Sequence, residues 1–291
     1  MGEFMKSISF KIFMSFFISF LFSCQVYSQN VWFKRILITN DNGIDDIKLI
    51  ELAKAFSQIT ETYIVAPSEN KSGSTTYLGA VNKGIVETEK RNIGNGIVAY
   101  AVKGYPADCV ALALTGIMRD KFPDLVISGI NGGPNLGKDW LGSGTIGAAR
   151  FAAFAGIPAI AVSGLNTDIP GSLEYAISWL VNFAKSDIVR NLKAPNYLTV
   201  GIPRIAPDKI IGVRIADRAG FIEYPIFEKI PSSKNNGGKE IWKFAGRDTS
   251  KIKPPDSSDI ALYQKGIIVI SPMIAKEIDY KLLEYLKKVQ N

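Results

Sequence analysis

Four short, densely apolar runs constrain this chain most: Ile36-Leu37-Ile38-Thr39, Tyr63-Ile64-Val65-Ala66, Leu125-Val126-Ile127-Ser128 and Ala159-Ile160-Ala161-Val162-Ser163. None alternates apolar with polar residues, so each reads as a buried strand of a parallel sheet. The last two end in serine just before a glycine, and Pro67 stops the second. Between the runs lie amphipathic stretches. Leu49, Leu52, Ala53 and Phe56 recur at helical spacing, with Asp45 or Asp46 placed to cap that helix. Further helices are predicted from about Pro106 to Met118, Thr145 to Ala155 and Ser172 to Lys185. Strand and helix in alternation define an α/β fold with a mostly parallel sheet.

Past Gly201 the pattern turns antiparallel. Phe221 to Ile230 and Lys239 to Phe244 flank the polar, glycine-rich stretch Ser232 to Gly238, and together they read as a hairpin arm over about residues 218–250. Such an arm either reaches a neighbouring subunit or folds back on its own domain. One more strand is expected at Leu262 to Ser271, and Ile278, Leu282, Leu286 and Val289 line one face of a terminal helix.

The 291 residues are 47% hydrophobic, enough for a packed core, with no internal repeat and no interdomain linker. Lys and Arg number 34 against 27 Asp and Glu, a net charge of +7 without any basic block. That excess favours anionic ligands only weakly and gives no reason to expect a nucleic-acid duplex as partner.

Residues 1–28 read as a signal peptide, with residues 1–4 as an extra stretch ahead of a natural start at Met5, and 29–291 as the functional domain. Lys6 and Lys11 precede an apolar stretch from Ile12 to Phe22, too short to span a bilayer. The expected product is exported, periplasmic or secreted, with no transmembrane span. Cleavage after Ser28 competes with a lipoprotein-type box, Leu21-Phe22-Ser23-Cys24, which would put lipid on Cys24. Without Cys24 the mature chain keeps Cys109 alone, set in the apolar run to Leu114, where a buried structural thiol is expected.

The chain contains no histidine. That excludes histidine triads, histidine general bases and histidine-ligated zinc, leaving carboxylates, amides, hydroxyls and backbone N–H groups. Three polar loops follow strands: Asn40-Asp41-Asn42-Gly43, Ser68-Glu69-Asn70-Lys71-Ser72-Gly73, and Ser128-Gly129-Ile130-Asn131-Gly132-Gly133-Pro134-Asn135-Leu136-Gly137. In a parallel sheet they gather at one edge, an oxygen-rich setting for a hard divalent cation. Lys71 and the amides of Gly73, Gly132 and Gly133 could hold an anion beside it, with Ser143-Gly144-Thr145 adding a helix N-terminus. Asn135 and Thr145 are candidates to orient a phosphate.

These strings resemble the SurE family of survival-protein 5′/3′-nucleotidases. The resemblance also takes in Gly104-Tyr105-Pro106-Ala107-Asp108-Cys109-Val110, Asp259-Ile260-Ala261 and Ile270-Ser271-Pro272, and covers residues 35 to 275. It implies a Rossmann-like fold with helices on both faces of the sheet, a Mn²⁺ or Mg²⁺ cofactor, and hydrolysis of nucleoside 5′- or 3′-monophosphates. It assigns Asp41, Asn42, Ser72 and Asn131 as metal ligands, with Asp41 also the catalytic carboxylate. It further implies a homodimer or tetramer built through the arm. Asn42 stands where the resemblance calls for a second Asp, Phe151 near an expected Glu, and Asp45-Asp46-Ile47 where Pro-Gly would follow the first loop. The alternative that Asn42 raises is a catalytically weak or inactive nucleotide-binding or assembly module.

Overall fold

A computed structural model describes residues 31–220, 224–231, 239–248, 253–276 and 278–290. The expected signal peptide and the arm's tip at 232–238 lie outside the described residues. The chain order is β1 (Arg35–Thr39), α1 (Ile47–Ser57), β2 (Glu61–Pro67), α2 (Gly79–Lys83), β3 (Thr88–Arg91), β4 (Val98–Val102) and α3 (Pro106–Leu112). There follow β5 (Leu125–Asn131), α4 (Gly144–Phe154), β6 (Ala159–Ser163), α5 (Ser172–Lys185), α6 (Asp187–Arg190), β7 (Asn196–Gly201) and β8 (Gly212–Ile215). The last elements are β9 (Tyr224–Ile230), β10 (Ile241–Asp248), α7 (Asp259–Gln264), β11 (Ile267–Ile274) and α8 (Tyr280–Gln290).

Nine strands form one sheet in the order β3-β4-β2-β1-β5-β6-β7-β11-β8. The β3–β4 and β7–β11 pairs are antiparallel and the other neighbours parallel. From β1 the chain winds one way to β2 and β4, then returns to place β5 on the other side of β1 and continues to β6 and β7. The strand order therefore reverses between β1 and β5. Open α/β sheets bind ligands outside the carboxyl ends of the strands at such a switch point. Thr39 of β1 pairs with Ser128 of β5, so the two polar loops leave the sheet side by side.

The strands of the four diagnostic runs are buried, as are Leu49, Leu52, Ala53 and Phe56 on α1. Asp46, not Asp45, caps α1: its side chain accepts from Lys48 N at 2.9 Å. The helix expected to run to Met118 stops being α-helical at Leu112 and widens into a π turn over Ala113–Ile117, where Met118 N donates to Ala113 O at 2.8 Å. Strands β3, β4, β7 and β8 add to those predicted.

The expected strand from Leu262 is a correction. Ser258 caps α7 by accepting from Ala261 N at 3.3 Å, so residues 259–264 are helical. Gly266, at φ +84°, then turns the chain into β11. In the arm, β9 and β10 pair antiparallel, and β10 passes a bulge between Phe244 and Gly246 to reach Asp248, beyond the predicted end. The apolar face of α8 is exposed, Leu282, Leu286 and Val289 included. Among the described residues no helix is long and apolar enough to cross a membrane.

Candidate active site

The first loop is shaped by Asn40, whose side chain donates Nδ2 to Gly43 O at 2.9 Å and accepts from Gly43 N at 3.1 Å through Oδ1. Gly43 sits at φ +114°, and a Cβ there would lie 3.3 Å from Glu69 C, so a side chain would be strained and would press on the second loop. The two loops are joined directly: Ile44 N donates to Pro67 O at 2.8 Å and Lys71 N to Asp41 O at 2.7 Å.

Asp41 is 3% exposed and points at the N-terminus of α4. Thr145 donates Oγ1 to Asp41 Oδ1 at 2.8 Å and its backbone N to Oδ2 at 3.2 Å. Ser143 caps the same helix by accepting from Ile146 N at 3.0 Å. Gly144 is required by this approach, since a Cβ would stand 2.9 Å from Asp41 Cβ and 2.8 Å from Ser74 Oγ. One turn on, a Cβ at Gly147 would fall 1.9 Å from Thr75 O, so α4 is pressed onto the chain that follows the second loop. Burial raises the Asp41 pKa above its ordinary value, opposed by the two Thr145 hydrogen bonds and reinforced by the charge of Asp46.

Several buried oxygens of these strands and loops lack a protein partner: Asn42 Oδ1, Thr39 Oγ1, Ser74 Oγ and Ser128 Oγ. Buried polar atoms are ordinarily paired, so these four, in β1, β5 and the first loop and just past the second, are candidates to meet a ligand. The donor set is hard oxygen throughout, and among the described residues no group of three or more His, Cys, Asp or Glu side chains is arranged to hold a metal ion. A cation here would draw on one carboxylate and neutral oxygens, a combination that suits Mg²⁺, Mn²⁺ or Ca²⁺.

The other predicted residues fall as follows. Asn131 ends β5 and donates Nδ2 to Gly133 O at 2.8 Å, which commits its nitrogen and leaves Oδ1 as the donor atom for a cation. Asn135 donates Nδ2 to Ser163 Oγ at 2.8 Å, bridging the third loop to the tip of β6. Ser72 and Gly73 are exposed at the rim, with Ser72 N bonded to Asn70 Oδ1 at 2.8 Å. Lys71 is not free to serve an anion alone, because its Nζ pairs with Glu69 and lies 5.4 Å from the Tyr105 ring centroid. Gly132 and Gly133 carry open space in place of a side chain, with nothing nearer than 3.8 Å to a Cβ at either. Phe151 lies two turns down α4 among partly buried apolar residues, away from the loop of Asp41.

Sequence reasoning passed over Ser74, and also Arg218. The guanidinium of Arg218 is largely buried and donates to Gly137 O at 3.0 Å, Asn135 O at 2.6 Å and Thr199 Oγ1 at 2.8 Å. No local pattern announces either residue; the Ser72-Gly73-Ser74 string alone hinted at the first. Cys109 is fully buried, and burial pushes its thiol pKa well up, which suits a packing role.

A Rossmann-like α/β sheet with a buried carboxylate and a capped helix N-terminus at its switch point belongs to the class of open α/β sheets, whose ligand sites form at such a point. The family is identified by comparison: the chain belongs to the family described as "Survival protein SurE", whose model matches residues 36–221. It is 34% identical over 253 residues to the 5′-nucleotidase SurE of Thermoanaerobacter sp. (strain X514), covering 87% of this chain and 96% of that one. It is 32% identical over 243 residues to the 5′/3′-nucleotidase SurE of Citrobacter koseri, covering 82% and 89%. The crystal structure of the SurE protein from Aquifex aeolicus superposes with a TM-score of 0.72 at 27% identity, over 88% of this chain and all of that one.

Proposed function

We propose that this chain is a metal-dependent phosphomonoesterase that hydrolyses nucleoside 5′- or 3′-monophosphates to nucleoside and phosphate. The observation that carries the reading is the buried Asp41 carboxylate at the switch point. Its support from kinship is that similar chains are named 5′- and 5′/3′-nucleotidases. Asp41, Asn42, Ser72 and Asn131 would hold Mn²⁺ or Mg²⁺, which when bound would supply Lewis acidity toward the phosphoryl oxygens and the activation of water for which this chain has no histidine base.

The chain's own groups do the rest. Thr145 holds the Asp41 carboxylate in one orientation through two hydrogen bonds, so the negative charge is fixed before substrate arrives. Backbone N–H groups of Gly73, Gly132 and Gly133 would receive phosphoryl oxygens, with no side chain at the glycines to keep a phosphate away; at the helix start Ser143 N and Thr145 N already donate to Asp139 O and Asp41 Oδ2, so Gly144 N would be the donor there. Asn135, tied to Ser163, would orient the phosphate. Lys71, already paired with Glu69, would contribute to the field at the rim.

The deciding assay is turnover of p-nitrophenyl phosphate and a nucleotide panel by the chain from Gln29 on. Activity should vanish with a chelator and return with Mn²⁺ or Mg²⁺; full activity in excess chelator would refute the metal mechanism. Asn42 sustains one second reading. A neutral amide beside a single carboxylate holds a dication less strongly than two carboxylates would, and metal binding without any turnover would identify an inactive nucleotide-binding or assembly module.

We further propose that the chain is exported after cleavage of residues 1–28 or lipidation at Cys24. It would assemble as a dimer or tetramer through the arm. Phe227, Trp242 and Phe244 are exposed on the arm's two strands, more apolar surface than a solvated hairpin requires.

A further inference from the structure

The carboxylate of Asp259 lies at the far end of the third loop, 1% exposed. It accepts from Gly137 N at 2.8 Å, Ala219 N at 2.8 Å and Ile260 N at 2.9 Å, and its Oδ2 lies 3.9 Å from Arg218 Nε. Arg218 closes the ring by donating to Gly137 O, Asn135 O and Thr199 Oγ1. Both the N–H and the C=O of Gly137 are thus held by this one ion pair. Gly137 itself sits at φ +50°, and a Cβ there would lie 2.9 Å from Ile260 Cδ1, so the loop is packed as well as bonded.

The same pair sits where the arm begins and ends. Residues 216–219 lead out toward β9, and 258–260 receive the chain after β10. The two segments are bridged by Asp259 N to Asp217 O at 2.8 Å. One buried pair therefore ties the two roots of the arm to the loop that carries Asn131, Gly132, Gly133 and Asn135.

We propose that Arg218 and Asp259 are positioning residues for phosphoryl transfer. They hold the Asn131–Gly137 loop at its distal end so that its amides and Asn135 meet the phosphate, and they make the arm's roots and the loop one mechanical unit. The proposal rests on the phosphomonoesterase reading for its catalytic consequence, whereas the coupling of loop and arm roots stands without it. Arg218 touches neither substrate nor reacting atoms; it acts through backbone groups of Asn135 and Gly137, and a misplacement of about 1 Å at a site can lower the rate about a hundredfold.

The test compares the wild-type chain from Gln29 on with Arg218→Lys and Arg218→Ala, each checked for folding by circular dichroism. The first readout is amide hydrogen exchange over residues 132–137, 216–219 and 258–260. All three segments should exchange faster in both variants, while the β1–β5 strand amides keep their protection. The second is kinetic. For p-nitrophenyl phosphate, kcat should fall about tenfold in Arg218→Lys and about a hundredfold in Arg218→Ala. Mn²⁺ affinity by calorimetry should fall less than kcat does, because Asp41 is held separately by Thr145 and Asn131, the one proposed ligand on this loop, is anchored at its other end as the last residue of β5. Partial rescue by lysine would separate positioning from a general loss of stability. Unchanged exchange in the three segments, or kcat retained in a folded Arg218→Ala, overturns the proposal. If Arg218→Ala does not fold, Arg218→Lys decides alone by the same two readouts. If the wild-type chain turns over no phosphate ester, the phosphomonoesterase reading fails and exchange alone decides the coupling.

Discussion

Two of the buried carboxylates, Asp41 and Asp259, are treated differently by the fold. Asp259 accepts three backbone N–H bonds and faces Arg218, so three of its four or so lone-pair sites are engaged and its charge is matched by the guanidinium. Asp41 receives two hydrogen bonds from Thr145 and one from its own backbone N–H, and the one charge acting on it is the like charge of Asp46. A carboxylate matched by a buried guanidinium fixes backbone; one of similar burial that faces no such counter-charge keeps capacity for a cation. Burial and the count of donors distinguish neither role, and the counter-charge does.

The largest effect that would sharpen this contrast is on stability. Asp259→Asn should lower the unfolding free energy by about 3–5 kcal/mol, since it leaves the Arg218 guanidinium buried without its counter-charge. That corresponds to roughly 10 °C in melting temperature for a domain of this size. Thermal melting with and without Mn²⁺ would measure it; a loss below about 1 kcal/mol would mean that Asp259 is not a structural clamp.

Next comes the other carboxylate. Asp41→Asn should weaken Mn²⁺ binding by about a hundredfold or more and abolish turnover, while Asn42→Asp should strengthen binding by about tenfold. A full unit of charge beside a dication in a partly buried crevice is worth on the order of a few kcal/mol, and each ~1.4 kcal/mol is a factor of ten. Titration calorimetry reads both directly. If neither substitution moves the affinity, the cation site is elsewhere and the contrast between the carboxylates is broken.

The smallest effect is expected at Cys109, on the core side of α3. Its thiol is buried and its pKa raised, so the thiolate is scarce at neutral pH and disulfide reagents should fail to modify the folded chain. Rapid modification without denaturant would show that this layer opens on the timescale of the assay.

Legibility in the sequence followed the range of the interactions. The strands β1, β2, β5 and β6 were readable because burial on both faces forces an unbroken apolar run. Strand β3, Thr88-Glu89-Lys90-Arg91, was not readable: it is an edge strand with no apolar residue to show a period. Strand β8, at the other edge, is exposed for the same topological reason. Tyr197-Leu198-Thr199-Val200 of β7 did carry the signal and was passed over. The helix α7 was hidden because Ala261-Leu262-Tyr263 suits either structure, and the Ser258 cap tips the balance.

By itself, the sequence determined the sheet's buried strands, the polar loops that end them and, through the absence of histidine, the kind of chemistry open to the chain. These are local properties: a side chain's hydrophobicity and a run's period are settled within a few residues. Tertiary structure alone decided that Thr145 would hold Asp41 from 104 residues away, and that Asp259 would hold Gly137 from 122. Those partnerships depend on the order in which strands are laid beside one another, and no spacing along the chain records it. The reversal between β1 and β5 brings the loops to a common edge; helix and arm root then supply the donors, and Arg218 the counter-charge that makes one carboxylate a clamp and leaves the other open.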